Sequence, residues 1–223
     1  MVEEASSASS EKGGSLRSIS GGASIFLIGK VISTGLGFVF NWILTRVLGA
    51  ALFGVYTYAN TIITFFVILA RLGTGKSLLR FIPASSNDST RQNWIASLAY
   101  LTALIGSVMI GALLFVLAPI INGVTLNEPL LVDVLRILAI VLPFNTLSNL
   151  TNSVFRATEQ LEYQIIISNI CKPIIRILAV LSAFILGYSL IGTVAALAIG
   201  GVLTFGLAIS LLYSKTSIRP TSD

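Results

Sequence analysis

Six stretches of this chain are each long enough to cross a lipid bilayer and carry almost no charge. A helix needs about 20 mostly apolar residues to span the hydrocarbon layer. The runs Ala23–Thr45, Leu52–Leu72, Trp94–Ile121, Leu131–Phe155, Tyr163–Leu186 and Ile191–Tyr213 meet that requirement. In hydrocarbon the backbone amides must be satisfied internally, so such runs fold as helices. The expected fold class is therefore an all-α integral membrane protein, a six-transmembrane-helix bundle. The breaks "VLGAALFG", "NGVTLNEP" and "LGYSLIG" carry turn residues, the last of them short enough for a tight hairpin. Only 10% of the 223 residues are charged, against about 25% in a soluble domain. Lipid rather than water is the solvent for most of this surface.

The flanks complete the organisation. Residues 1–22, rich in Ser, Gly and Ala with no periodic apolar face, read as a disordered cytoplasmic tail. They lack the charge-then-apolar pattern of a signal peptide. Residues 23–213 form the membrane lobe, and residues 214–223 a second cytoplasmic tail. Lys12 and Arg17 lie before the first span, Arg71, Lys76, Arg80 and Arg91 after the second, and Arg156 after the fourth. Lys215 and Arg219 follow the sixth, whereas the other side holds only Arg46. The positive-inside rule then places both termini in the cytoplasm and makes the chain a multi-pass cell-membrane protein.

Several chemistries drop out. "ARLGTGKS", residues 70–77, imitates a phosphate-binding loop but follows a membrane span, where that loop requires a buried strand. There is no histidine, and the one cysteine, Cys171, sits in an apolar run and reads as a small hydrophobe. No catalytic residue, metal ligand or cofactor site is expected, and no nucleic-acid partner.

What remains is a set of polar residues at membrane depth, where ionisable groups are costly and usually face the protein interior or a hydrated cavity. The deep ones are all cationic: Lys30, Lys172 and Arg176, with Arg46 and Arg136 nearer the outer boundary. Asp133 and Glu128 sit near the outer edge, and no carboxylate lies deep in a span. That argues against a proton or sodium relay and for an anionic ligand such as phosphate. Lys30, Thr34, Gly37 and Asn41 share one helical stripe. Asn145, Asn149, Asn152 and Arg156 form a second, and Asn169, Lys172 and Arg176 a third. Three such stripes could line one hydrated cavity. The plainer readings are that Lys30 snorkels to the cytoplasmic boundary, that Arg46 and Arg136 anchor at the outer one, and that the Asn and Thr side chains bond between helices.

"LTRVLGAALFGVYTYANTI" and "LARLGTGKSLLRFIPA" resemble the polysaccharide-export flippases of the multidrug/oligosaccharidyl-lipid/polysaccharide superfamily. The resemblance rests on Arg46, Leu48, Gly49, Gly54 and Tyr56, then on Leu72, Gly73, Leu79, Arg80, Phe81 and Pro83. A weaker likeness covers "PFNTLSNLTNSVFRATEQLEYQIIISNICKPIIRIL". It implies one lobe of a MATE-like two-lobe transporter, with a central cavity, that moves polyprenyl-diphosphate-linked oligosaccharide to the outer leaflet. Depth and spacing make Lys30, Lys172, Arg176, Arg46 and Arg136 the candidate diphosphate contacts, and Asn41, Asn145 and Asn149 the candidate sugar contacts. The second lobe would come from the same gene, a split gene or a second copy. Competing expectations are a multidrug or cation antiporter of the same fold, a membrane-embedded lipid-sugar enzyme, and a truncated half without function.

Overall fold

The computed structural model describes the backbone of residues 2–71, 73–85, 89–125, 128–158 and 160–215, with side chains from Leu27 to Ser214 within those ranges, apart from Ser89. The segments expected as tails, 1–22 and 214–223, fall almost wholly outside the described side chains. The helices in order are α1 (Val2–Ala70), α2 (Thr74–Ala84), α3 (Ser89–Val124), α4 (Pro129–Ala157), α5 (Leu161–Ile165), α6 (Lys172–Ile185) and α7 (Leu190–Lys215). A π-helical segment, Ile166–Cys171, joins α5 to α6, and no strand occurs among the described residues.

Among the described residues five helical stretches are long and apolar enough to cross a membrane: Leu27–Ala70, Thr90–Val124, Pro129–Ala157, Leu161–Ile185 and Leu190–Ser214. The chain is thus an α-helical, multi-pass membrane protein. The count falls one short of the six apolar runs because the first two make one stretch of 44 residues. Straight, it would measure about 66 Å, roughly twice the hydrocarbon thickness.

It is not straight. Gly49 has φ 76° and ψ 168°, a conformation essentially reserved for glycine. Arg176 donates a hydrogen bond to the Tyr56 hydroxyl at 2.8 Å, and its guanidinium lies 4.4 Å from the centre of the Phe40 ring. A straight helix would hold residues 40 and 56 about 24 Å apart, too far for one guanidinium to touch both. α1 therefore doubles back at Gly49. Where the sequence suggests a loop of several residues, one glycine makes the reversal. The α6–α7 connection, residues 186–189, is the tight hairpin expected. Gly187 sits at φ 69° and the Tyr188 amide bonds the Ala183 carbonyl at 3.0 Å, which caps the end of α6.

α4 is the central staple. Its Leu131, Leu135 and Leu142 pack with Phe40, Leu44 and Leu190 in one apolar cluster. Its Leu150, Val154 and Phe155 pack with Leu78, Ile82 and Leu212 in another. Between the two clusters it carries Asn145, Thr146, Ser148 and Asn149. The outside of the molecule is greasy: Phe38, Met109, Val116 and Ile185 are each at least 67% exposed. In lipid that surface is solvated, and helices associate by close packing. The hydroxyls of Thr34, Thr146 and Thr204 bond back to Lys30, Leu142 and Gly200 carbonyls of their own helices, so they need no partner across an interface. "ARLGTGKS" joins two helices and follows no strand; as expected, it is no phosphate-binding loop.

Replacing Gly49 by Val should strain the reversal by about 2 kcal/mol and lower the thermal midpoint of the detergent-extracted chain. Gly54, helical and with no atom within 4 Å of an added Cβ, should accept Ala without that loss. Equal midpoints for the two variants would show that the reversal does not depend on glycine.

Candidate functional site

The side chains of one polar region come from four places in the sequence. Past the reversal, α1 presents Tyr56, Asn60, Thr64 and Val67 at helical spacing. α4 supplies Asn145 and Asn149, one turn apart, and α6 supplies Lys172 and Arg176, also one turn apart. α7 closes the ring with Leu197, Ala198, Gly201 and Thr204. Together they enclose a cavity of about 300 Å³. Among the described residues no carboxylate lines it.

Local sequence explains the presentation of the two cations. Pro173 has no amide proton, so the carbonyl of Asn169 loses its usual helical donor. The π-helical segment Ile166–Cys171 lies directly upstream, and such wide turns rotate the downstream residues relative to a regular helix. Lys172 and Arg176 then project from the start of α6 on one face. Gly201 leaves room opposite them: a Cβ there would sit 3.5 Å from Val141 and 3.9 Å from the Asn145 amide oxygen.

The two cations are held differently. Arg176 is clasped between the Phe40 ring at 4.4 Å and the Tyr56 hydroxyl at 2.8 Å, contacts that neutralise none of its charge. A guanidinium over an aromatic face gains up to about 2 kcal/mol where water is excluded. Lys172 is half-buried, and its ammonium has no hydrogen-bond acceptor among the described residues. Two like charges one helical turn apart repel. An anion between them would remove that repulsion and complete their hydrogen bonds.

Four of the eight residues singled out from sequence come together here: Lys172, Arg176, Asn145 and Asn149. The other four do not line the cavity. Lys30 and Asn41 are exposed on the first half of α1, and the Asn41 amide bonds back to the Gly37 carbonyl at 2.9 Å. Arg46 is exposed, with its guanidinium 5.6 Å from the Trp42 ring centre. Arg136 is half-buried, 5.2 Å from the Phe115 ring centre, and its Nε has no hydrogen-bond partner among the described residues. Both arginines thus sit against aromatic rings and away from the cavity. Sequence reasoning misses Asn60 and Thr64, although their spacing of four from Tyr56 carries the signal. It finds Tyr56 only as part of a motif.

Comparison with known proteins identifies the family. The family model described as polysaccharide biosynthesis protein matches residues 19–222, nearly the whole chain. The chain belongs to that family. The polysaccharide biosynthesis proteins are a transporter family, flippases of the multidrug/oligosaccharidyl-lipid/polysaccharide superfamily, and the resemblance read from the two motifs holds. Nothing among curated proteins or solved structures matches the chain. Membership points to a flippase-type role in polysaccharide or glycan export at a membrane.

Tyr56→Phe removes the hydrogen bond that fixes the Arg176 guanidinium, a contact to a charged group worth about 2 kcal/mol. The expected result is a lower thermal midpoint with the helical circular dichroism intact. An unchanged midpoint would mean that the clasp does not hold α1 against α6.

Proposed function

We propose that the chain is one lobe of a flippase for polyprenyl-diphosphate-linked oligosaccharide, crossing the cell membrane six times with both termini in the cytoplasm. The reversal at Gly49 supports the sixth crossing, since each half of the Leu27–Ala70 stretch is then of spanning length. The observation that carries the cargo reading is the placement of Lys172 and Arg176 in one cavity without a carboxylate. A diphosphate is the constant charged part of such a cargo. Its transfer through bare hydrocarbon is prohibitive, and a cationic cavity lowers that cost. Asn60, Asn145 and Asn149 offer donors and acceptors to sugar hydroxyls beside it. The isoprenoid stays in the bilayer while the headgroup crosses.

Transport needs a second lobe, supplied by the same gene, a split gene or a second copy. The exposed stripe of Lys30, Thr34 and Asn41 on the first half of α1 is the polar surface that such a lobe would cover. Rocking of the two lobes would then open the shared cavity to either side.

The test is flipping of a lipid-linked oligosaccharide in proteoliposomes, or export in a complementation strain. Lys172→Gln with Arg176→Gln should cut the rate about ten-fold or more, as expected for losing two charge-assisted contacts. Lys30→Gln should cost much less. Undiminished transport by the double variant, at equal abundance in the membrane, would overturn the assignment of the cavity.

A further inference from the structure

The four cations from the end of the second apolar run to the start of the third do not behave alike. Arg71 turns inward, where its Nη2 lies 3.4 Å from the Ser153 hydroxyl. Lys76 and Arg80, one turn apart on α2, are exposed. α2 packs Gly75, Leu78 and Ile82 against the bundle. With 3.6 residues per turn, going round the helix from that buried face leads first to Leu79 and Pro83 and then to Lys76 and Arg80. Leu79 is 42% exposed, and Phe81, on the opposite flank, is 49% exposed. An eleven-residue helix bathed in water on that side would be an odd place for a leucine and a phenylalanine beside two cations. A helix lying in the headgroup layer needs that order: apolar flank toward the acyl chains, cations at phosphate level.

The neighbouring element points the same way. The Gln92 amide donates to the Ile82 carbonyl at 3.2 Å, tying the start of α3 to the end of α2. Two residues on, Trp94 is 66% exposed, the placement of an interfacial aromatic anchor.

We propose that the outward face of α2 is a binding surface for anionic phospholipid, with Lys76 and Arg80 taking the headgroup phosphate and Leu79 lying against its acyl chains. The charge is complementary and the apolar flank is continuous with the lipid-facing exterior. The surface depends on the membrane placement of the chain and is independent of what the cavity carries. Each cation near an anionic surface strengthens association by roughly five-fold.

The experiment is native mass spectrometry of the full chain, extracted in detergent and equilibrated with an equimolar mixture of phosphatidylglycerol and phosphatidylcholine. The wild-type chain should retain phosphatidylglycerol preferentially. Lys76→Gln with Arg80→Gln should reduce that preference by roughly five-fold or more, while Lys30→Gln with Arg46→Gln, which removes the same charge elsewhere, should keep it. Absence of preference in the wild type, an undiminished preference in the α2 variant, or equal loss in both variants would each overturn the proposal. Should the α2 variant fail to fold, Trp94 fluorescence in a Trp42→Phe background decides. Brominated phosphatidylglycerol should quench it more than brominated phosphatidylcholine, and equal quenching overturns the proposal.

Discussion

One guanidinium organises this molecule. Arg176 of α6 lies on the Phe40 ring of one half of α1 and bonds the Tyr56 hydroxyl of the other. Both contacts are possible only because Gly49 reverses the chain between them. They bring the second half of α1 to α6, and the cavity forms where those two meet α4 and α7. A half-buried cation at membrane depth is costly unless it is surrounded by groups that tolerate its charge. An aromatic face and a phenol do so while leaving the charge unneutralised.

The unneutralised charge is what gives the cavity its chemistry. α4 supplies apolar packing on both sides of a polar middle, so the structure is closed by leucine and phenylalanine clusters and open only where Asn145 and Asn149 face the two cations. Arg176 is fixed, whereas Lys172, lacking a protein acceptor among the described residues, is left to meet a ligand. Under the proposed function, a site with two positive charges, several amide and hydroxyl groups and no carboxylate among the described residues favours anions over the cations that an antiporter would couple. That preference suits the lipid-linked glycan proposed as cargo, and membership of a flippase family fits a role in glycan export.

Much of this is legible in the sequence because lipid imposes strict rules. Span length, the scarcity of charge and the spacing of four between Asn145 and Asn149, and again between Lys172 and Arg176, lead directly to helices with polar faces. Spacing defines a face but not what the face meets. Lys30, Thr34 and Asn41 form as regular a stripe as any, yet they are exposed, with the Thr34 and Asn41 side chains bonded to their own helix. Asn60 and Thr64 are hard to single out because they are uncharged and lie in a run dominated by Ile and Phe. The sequence marks a break around Gly49 but suggests a loop there, since nothing in it says that one residue with positive φ suffices. The unpartnered Nε of Arg136 has no physical account here.

The proposed function requires the cavity to be a water-accessible, anion-selecting site held by Lys172 and Arg176. It is tested most directly by placing one cysteine at Asn60 in a Cys171→Ala background. Its reaction with negatively and positively charged methanethiosulfonates is then measured in membranes. The cavity predicts faster modification by the anionic reagent, with the preference lost when Lys172 and Arg176 are both replaced by Gln. No modification at all, or a preference for the cationic reagent, would contradict it.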